Sequence, residues 1–275
     1  MDPIVVLKGA LPPIAAALLL VSLAGARLLP LAMAIGLFVA FGLLKREWPA
    51  LPHELWAAPN GTQWLLWGIA AAAVASSLEH LRLLTKRLAT GVGVLVASAA
   101  VWLLLLKLAQ RWDANTVLLH VGVGGFAVAL TVLACRRALA NAPATIGSAV
   151  VFSTMLSLDA GLLTLATSAL LGQLCGAVAA AVGAAAGTVV WRRGFAMTAA
   201  DGTWLGVAHG LFVLAGAHLA DLPWSAAGCA MAAPLPLLLL GGAKAHPARW
   251  TVLATVLTSL PLAAAGWLTY AAQAA

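Results

Sequence analysis

The sequence predicts an all-α, polytopic transmembrane helical bundle of about ten spans, and three observations lead to it. Hydrophobic residues make up 63% of the 275 residues and charged residues only 8%, more apolar surface than a soluble domain could bury. The mean hydropathy is +1.03. From residue 11 to residue 273, apolar stretches of bilayer length follow one another, without the alternation of apolar and polar residues that barrel strands need.

A helical span needs about 20 apolar residues and at least about 17, and the chain offers ten such stretches. They cover residues 11–26, 28–44, 64–81, 88–109, 116–135, 146–169, 171–190, 203–221, 225–242 and 250–272. Residues 1–275 thus form a single integral membrane domain with no extramembrane catalytic domain. Three connections, near Arg27, Gly172 and Asp221, are so short that one long helix would explain each pair of spans equally well.

The distribution of Lys and Arg predicts the orientation. In a ten-span arrangement one side carries ten basic residues: Arg27, Arg82, Lys86, Arg87, Arg136, Arg137, Arg192, Arg193, Lys244 and Arg249. The other side carries Lys8, Lys45, Arg46, Lys107 and Arg111. We expect the first side to be cytoplasmic and both termini to lie outside. The Ala/Arg-rich composition indicates a bacterial inner (cell) membrane, and basic residues at span ends are typical of contacts with lipid headgroups rather than with nucleic acid.

The longest connection, 45–63, would then lie outside. It contains Trp48, Pro49, Pro52 and Trp56, a composition that suits a short helix in the membrane interface with its indoles at headgroup depth. A plain connecting loop with two aromatic anchors is the alternative.

Two similar segments indicate an internal repeat. Asn60-Gly61-Thr62-Gln63-Trp64-Leu65 and Asp201-Gly202-Thr203-Trp204-Leu205 stand 141 residues apart, and each opens the third span of a five-span half, 1–142 or 143–275. Because five is odd, the second half would be inverted relative to the first. The alternative is that both segments are ordinary helix starts, with a polar cap and an interfacial Trp.

Asp159 is the leading candidate for a functional residue. It lies deep in the sixth predicted span, where a charge costs at least about 2.5 to 3.5 kcal/mol. No Lys or Arg lies at comparable depth in the sequence, so we expect the carboxyl to be protonated or hydrogen-bonded to neighbouring helices. Either state suits proton or cation coupling, while a purely interhelical hydrogen bond is the alternative. The hydroxyl residues of the same segment, Ser153, Ser157, Thr164 and Ser168, form a separate stripe at helical spacing.

The histidines supply the other candidates. His209 and His120 lie inside their predicted spans from opposite faces and would serve as proton relay or substrate ligands. Secondary candidates are Glu79, His80, His218 and Asp221. His120 and His218 lie at one depth, as the two axial ligands of a haem must, but no cofactor is predicted. No metal site is predicted either, because Cys135, Cys175 and Cys229 lack any metal-binding spacing.

The seventh predicted span carries a glycine face. Gly172, Gly176, Gly183 and Gly187 form two GxxxG units within about 60° of one another, which predicts close backbone packing against the sixth span. Gln173 would add a polar contact.

The leading functional hypothesis is a secondary transporter or permease-like protein that moves a small solute or ion, with proton coupling. A non-catalytic integral subunit of a larger membrane complex, or a homo-oligomer, is the alternative, and an enzyme acting on lipid or quinone is a weaker one. The sequence has no zinc-protease, P-loop or nucleophile-elbow motif, so no catalytic residue is assigned and an enzyme is not favoured.

Overall fold

The computed structural model describes residues 3–57, 60–142, 146–188, 196–240 and 246–274, and within these ranges it is helical without a β-strand. The helices are α1 (Pro3–Ala24), α2 (Leu29–Lys45), α3 (Pro52–Ala57), α4 (Gly61–His80), α5 (Lys86–Ala109), α6 (Ala114–Val117), α7 (Val123–Asn141), α8 (Gly147–Leu165), α9 (Ala169–Gly187), α10 (Asp201–Leu219), α11 (Trp224–Met231) and α12 (Pro247–Ala274). A π-helical turn, Leu118–Gly122, joins α6 to α7, and a 3₁₀ helix, Leu235–Leu239, follows α11.

Six described helical segments are long and apolar enough, by length and composition, to cross a membrane: α5, the joined α6 and α7, α8, α9, α10 and α12. Three shorter apolar segments, Leu7–Leu23, Leu29–Lys45 and Trp224–Leu239, accompany them. The protein is therefore a multi-pass integral membrane protein with a helical bundle. The number of ten spans and the inverted repeat stay predictions.

Two of the three tight connections are helical hairpins. Gly25 follows α1 in the left-handed region, with a φ of 77°. Gly36 of α2 then packs on Pro13 of α1, so closely that a Cβ on Gly36 would lie 2.4 Å from the Pro13 Cα. Similarly, α9 turns back along α8 with Gly172 packed against Thr164. Each connection therefore joins two antiparallel helices rather than lying within one long helix.

The third tight connection leads into a broken helix, which corrects the predicted continuous span 225–242. The chain returns along α10, with the Leu222 N–H 3.3 Å from the Gly216 carbonyl. However, α11 ends at Met231, and Pro234 and Pro236 follow. Proline has no N–H to continue the α-helical hydrogen bonds, and such backbone survives at membrane depth only where protein or a cavity surrounds it.

Helix α10 is the centre of the bundle, since every residue from Asp201 to Gly216 is buried. It contacts α4, α5, α7, α8, α9 and α11. Three of its glycines, Gly202, Gly206 and Gly210, face α7, and a Cβ on the first two would lie 2.4 Å and 2.5 Å from backbone atoms of Arg136 and Val132. This glycine row, which lies outside the glycine face predicted on α9, determines how closely α10 approaches α7.

The bundle has two ends, named here by their residues. At the basic end α4 finishes and α5 starts, at His80 and Lys86. At the aromatic end lie Trp112 and Trp224, with the connection 45–63 and both termini of the described chain on the same side. Three of the basic residues used for the orientation, Arg192, Arg193 and Lys244, lie outside the described residues, so the orientation stays a prediction.

The connection 45–63 contains a short helix, α3, and is tied to the bundle. The Ala50 N–H donates to Gln63 Oε1 at 2.8 Å, and Trp67 Nε1 donates to the Ala50 carbonyl at 3.0 Å. The side chains of Trp48 and Trp56 are exposed, as an interfacial segment would require. Its contact with a membrane interface stays a prediction.

Candidate functional site

Asp159 and His209 form a hydrogen-bonded pair in the middle of the bundle. Asp159 is residue 13 of the 19 in α8, and His209 is residue 9 of the 19 in α10. Nδ1 of His209 lies 2.7 Å from Oδ2 of Asp159, and both side chains are 0% exposed. We call Asp159 and His209 the central pair.

The second ring nitrogen of His209 contacts the break after α11. Nε2 lies 3.1 Å from the Ala230 carbonyl oxygen. In a continuous helix this oxygen would accept the N–H of residue 234, but that residue is a proline. The carbonyl instead accepts the Ala233 N–H at 2.9 Å and the imidazole. The break in α11 therefore supplies the partner that orients His209.

These contacts determine how many protons the central pair holds. A carbonyl only accepts, so Nε2 of His209 carries a hydrogen. Two lone pairs do not face each other at 2.7 Å, so a second proton lies between Nδ1 and Asp159. The pair therefore holds two protons and is electrically neutral, as an acid with a neutral imidazole or as a carboxylate with an imidazolium.

The other carboxyl oxygen, Asp159 Oδ1, is buried and has no hydrogen-bond partner in the part of the chain that the structure describes. A buried polar atom without a partner is costly and uncommon in folded proteins. Asp159 also forms no ion pair with Lys or Arg among these residues, its one charged-group contact being His209. The carboxyl thus has capacity for one further ligand or proton.

The hydroxyl residues of α8 point away from the central pair. Ser153 donates to the Ala179 carbonyl of α9 at 2.8 Å, while Ser157 and Thr164 donate to carbonyls of α8 itself. Ser168 is not on α8, contrary to the predicted stripe of four, because the helix ends at Leu165. Its hydroxyl instead caps α9.

The predicted glycines of α9 differ in how closely they are packed. A Cβ on Gly172 would lie 2.9 Å from the Ala160 carbonyl oxygen, whereas Gly176 and Gly183 leave 3.5 Å and 3.1 Å to side-chain atoms of α8. Gly187 has no described atom within 4 Å of such a Cβ. Gln173 lines a cavity of about 360 Å³ between α1, α8 and α9, away from the central pair.

A polar network lies at the basic end, where α4, α7 and α10 meet. Arg136 donates from Nη1 and Nη2 to the two carboxylate oxygens of Glu79, at 2.7 Å and 3.1 Å, and from Nη1 to the Thr203 hydroxyl at 2.7 Å. Nε2 of His80 lies 3.1 Å from Oδ1 of Asp201. These five residues are called the basic-end network.

The interpretation of Arg136 as a membrane-interface anchor is wrong. Its side chain is 8% exposed and paired with Glu79, whereas the neighbouring Arg137 is exposed. Arg136 follows Val128 and Val132 at helical spacing, on the face of α7 that packs on α10. That spacing is the signal in the sequence that separates the two arginines.

The two similar segments that begin at Asn60 and Asp201 have different roles at the starts of their helices. Asn60 caps α4, since its side chain accepts the Gln63 N–H at 3.4 Å. Asp201 instead contacts His80 and accepts the Thr198 N–H at 2.8 Å. The segment at 201 therefore does not act as an ordinary cap.

A cavity of about 830 Å³ opens at the basic end, beside the basic-end network. Glu79 and His80 line it, together with Arg82, Lys86 and the residues just before α10. The cationic side chains of Arg82 and Lys86 and the ion-paired Glu79 thus line a cavity near the start of α10, the helix that carries His209. Sequence reasoning missed Arg136, Asp201 and Thr203 as members of this region.

At the aromatic end the rings of Trp112, His120, His218 and Trp224 contact one another, with His120 and His218 5.2 Å apart between centroids. Asp221 is not part of this group, because it accepts a hydrogen bond from the Thr167 hydroxyl at 2.7 Å. The structure therefore brings His209 to Asp159, and His120 to His218, but it does not bring His120 to the central pair. We call the four rings the ring cluster.

Comparison with known proteins adds no family: a scan against protein-family models, a search of curated proteins and a search of solved structures each give no match. Among the described residues no group of three or more His, Cys, Asp or Glu side chains is placed to hold a metal ion.

Proposed function

We propose that the protein is a secondary transporter that moves a small solute or ion and couples its movement to protons at the central pair. The observation that carries the proposal is the fully buried, proton-sharing contact of Asp159 with His209. Ionisable residues inside a membrane bundle are expensive and usually functional. Such a pair holds two protons and has no permanent cation beside it among the described residues. Its net charge therefore changes whenever it gains or loses a proton.

The surroundings of the central pair support a pathway that opens alternately to the two sides of the membrane. The cavity at the basic end reaches the network at the start of α10, and His209 lies about 12 Å further along that helix, at 1.5 Å per residue. At the same depth α11 is broken beside His209. Broken helices around a buried ionisable residue are the usual setting of coupling sites in transporters.

The orientation that fits this proposal has the basic end in the cytoplasm of a bacterial cell, because Lys and Arg concentrate there. Both termini and the connection 45–63 would then face outward. The two five-span halves, if inverted, would place α4 and α10 as equivalent helices, and these two helices pack against each other.

Charge movement in proteoliposomes tests the proposal without knowledge of the substrate. Protein in liposomes adsorbed on a solid-supported membrane is exposed to a step in pH. We expect a transient charge displacement from the wild-type protein and its loss in Asp159→Asn. Asp113→Asn, which alters an exposed acid outside the spans, is the matched control and should retain the signal. Equal signals from wild type and Asp159→Asn would refute coupling at this site.

One observation favours a second function, that of a non-catalytic subunit in a larger membrane complex. His209 uses both ring nitrogens to tie α8, α10 and α11 together, which is also what a purely structural interhelical contact would do. Purification from native membranes in mild detergent separates the two. A stable single species without any partner would exclude the subunit function, and a stoichiometric partner would support it.

A further inference from the structure

The ring cluster borders a second cavity, of about 530 Å³, between α7, α10 and α11. Its walls are apolar except for the rings of His120 and Trp224, and they include Leu119, Val123 and Gly228. Leu119 and Val123 are exposed, at 59% each, on a segment apolar enough to lie in a membrane. The cavity therefore opens towards the lipid, and its ligand would arrive from the bilayer.

One histidine of the ring cluster has unused hydrogen-bonding capacity, and the other lines the cavity. Nε2 of His218 is buried without a hydrogen-bond partner among the described residues, and the ring of His218 lies 5.2 Å from that of His120. His120 lines the cavity and belongs to the π-helical turn Leu118–Gly122. Such turns often mark functional sites, because the extra residue redirects side chains.

The chemistry of the walls limits the class of ligand. A phospholipid brings a phosphate and a haem brings two carboxylates, and each of these groups needs a cationic or hydroxyl partner when buried. None of the described residues that line this cavity is Lys, Arg, Ser or Thr. The walls instead suit a neutral, flat ring that stacks on Trp224 and accepts a hydrogen bond from an imidazole.

We propose that this cavity binds the head group of a membrane-soluble quinone. The ring would stack against Trp224, one carbonyl would accept a hydrogen bond from His120, and the tail would leave past Leu119 and Val123 into the bilayer. His218, whose ring contacts that of His120 and which does not line the cavity, would help to position His120. The proposal is independent of proton-coupled transport, because the ring cluster lies at the aromatic end and shares no residue with the central pair.

Gly228 provides the sharpest test, because it lines the cavity and a Cβ on it would meet no described atom within 4 Å. Gly228→Leu should therefore fill the cavity without disturbing the helix contacts. Gly91→Leu is the matched control, since Gly91 is also helical, exposed and free of atoms within 4 Å. The probe is decylubiquinone, titrated by calorimetry into the full-length protein in nanodiscs.

We expect saturable binding by the wild type and by Gly91→Leu, and at least about a tenfold loss of affinity in Gly228→Leu. His120→Phe keeps an aromatic ring but removes the hydrogen bond, and should weaken binding by about three- to tenfold. Thermal unfolding of each variant, measured in parallel, separates loss of binding from loss of fold.

Three outcomes would overturn the proposal: no saturable binding by the wild type, equal affinity in Gly228→Leu, or equal affinity for decylbenzene, which has the tail and the ring but lacks the carbonyls. Asp159→Asn should bind decylubiquinone as the wild type does while it loses the pH-driven charge movement. Failure of this proposal and failure of the transport proposal are therefore distinguishable.

Discussion

The central pair and the Glu79–Arg136 ion pair of the basic-end network each join two helices through an acidic side chain, but they differ in how the charge is balanced. In the network, Glu79 faces the guanidinium of Arg136 through two hydrogen bonds, and arginine stays protonated in proteins. In the central pair, His209 is the one charged group among the described residues that Asp159 contacts, and neutrality depends on shared protons. Glu79 and Arg136 therefore form a permanent ion pair, whereas the transport proposal expects the charge of the central pair to change with its protonation.

The difference between these two contacts indicates which of them serves mainly to stabilise the bundle. The Glu79–Arg136 ion pair ties α4 to α7 at the basic end, and Arg136 extends the contact to Thr203 of α10. The central pair includes His209 of the same helix, α10, and its Asp159 Oδ1 has no hydrogen-bond partner among the described residues. Substitutions at Arg136 and at Asp159 should therefore separate the contribution of a fixed ion pair from that of a pair held by shared protons.

The largest effect on stability is expected from Arg136→Met. The change leaves the Glu79 carboxylate, 10% exposed, buried without its cation, which costs about 3 to 5 kcal/mol. Chemical unfolding in detergent would measure it. Arg137→Met, at the exposed neighbour, is the matched control and should change stability by less than about 0.5 kcal/mol. Similar losses in both variants would contradict the assignment of the buried ion pair.

A smaller loss is expected from Gly206→Ala, which tests the contact that positions α10. The new Cβ would lie 2.5 Å from the Val132 Cα, so α7 and α10 must separate, at a cost of about 1 to 3 kcal/mol. Gly176→Ala is its counterpart on α9, where the nearest atom is a side-chain methyl at 3.5 Å. There alanine should be neutral or stabilise the helix by up to about 1 kcal/mol. The prediction fails if the two variants unfold alike.

Asp159→Asn should cost less stability still, although the transport proposal expects it to abolish charge movement. The amide N–H can donate to Nδ1 of His209 as the shared proton does, so we expect a loss of about 0.5 to 1.5 kcal/mol, the net value of one hydrogen bond. The same unfolding assay applies. A loss as large as that of Arg136→Met would mean that the pair is a charged salt bridge whose imidazolium has lost its counter-ion.

The smallest effect is expected at Asp113, which is fully exposed before α6. The Thr116 hydroxyl donates to its carboxylate and lowers the pKa of Asp113 below its ordinary value of 3.8. A lowered pKa in the folded state stabilises it above the unfolded pKa, and this contribution is lost as pH falls through the folded pKa. Asp113→Asn should therefore remove a small loss of stability below about pH 4, seen in unfolding curves at several pH values. An unchanged pH profile would contradict the assignment.

Sequence reasoning identified the helical membrane class because length and apolarity are properties of each segment alone. It also identified Asp159 and His209 separately, since the cost of burying an ionisable group depends on depth along one helix. It did not pair them, because α8 and α10 are 50 residues apart at these positions and their contact depends on rotation of each helix about its axis. Arg136 was misread for the same reason, as its partner Glu79 lies on another helix.

What the sequence by itself determined is therefore the multi-pass helical bundle and the short list of intramembrane polar residues. These follow from hydropathy and from backbone chemistry, which act locally. Only the tertiary structure decided that His209 meets Asp159 and the Ala230 carbonyl, that Arg136 turns inward to Glu79, and that His120 and His218 share one cluster. Those contacts depend on helix packing, and between α7 and α10 the glycines of α10 let the two backbones approach where side chains would keep them apart.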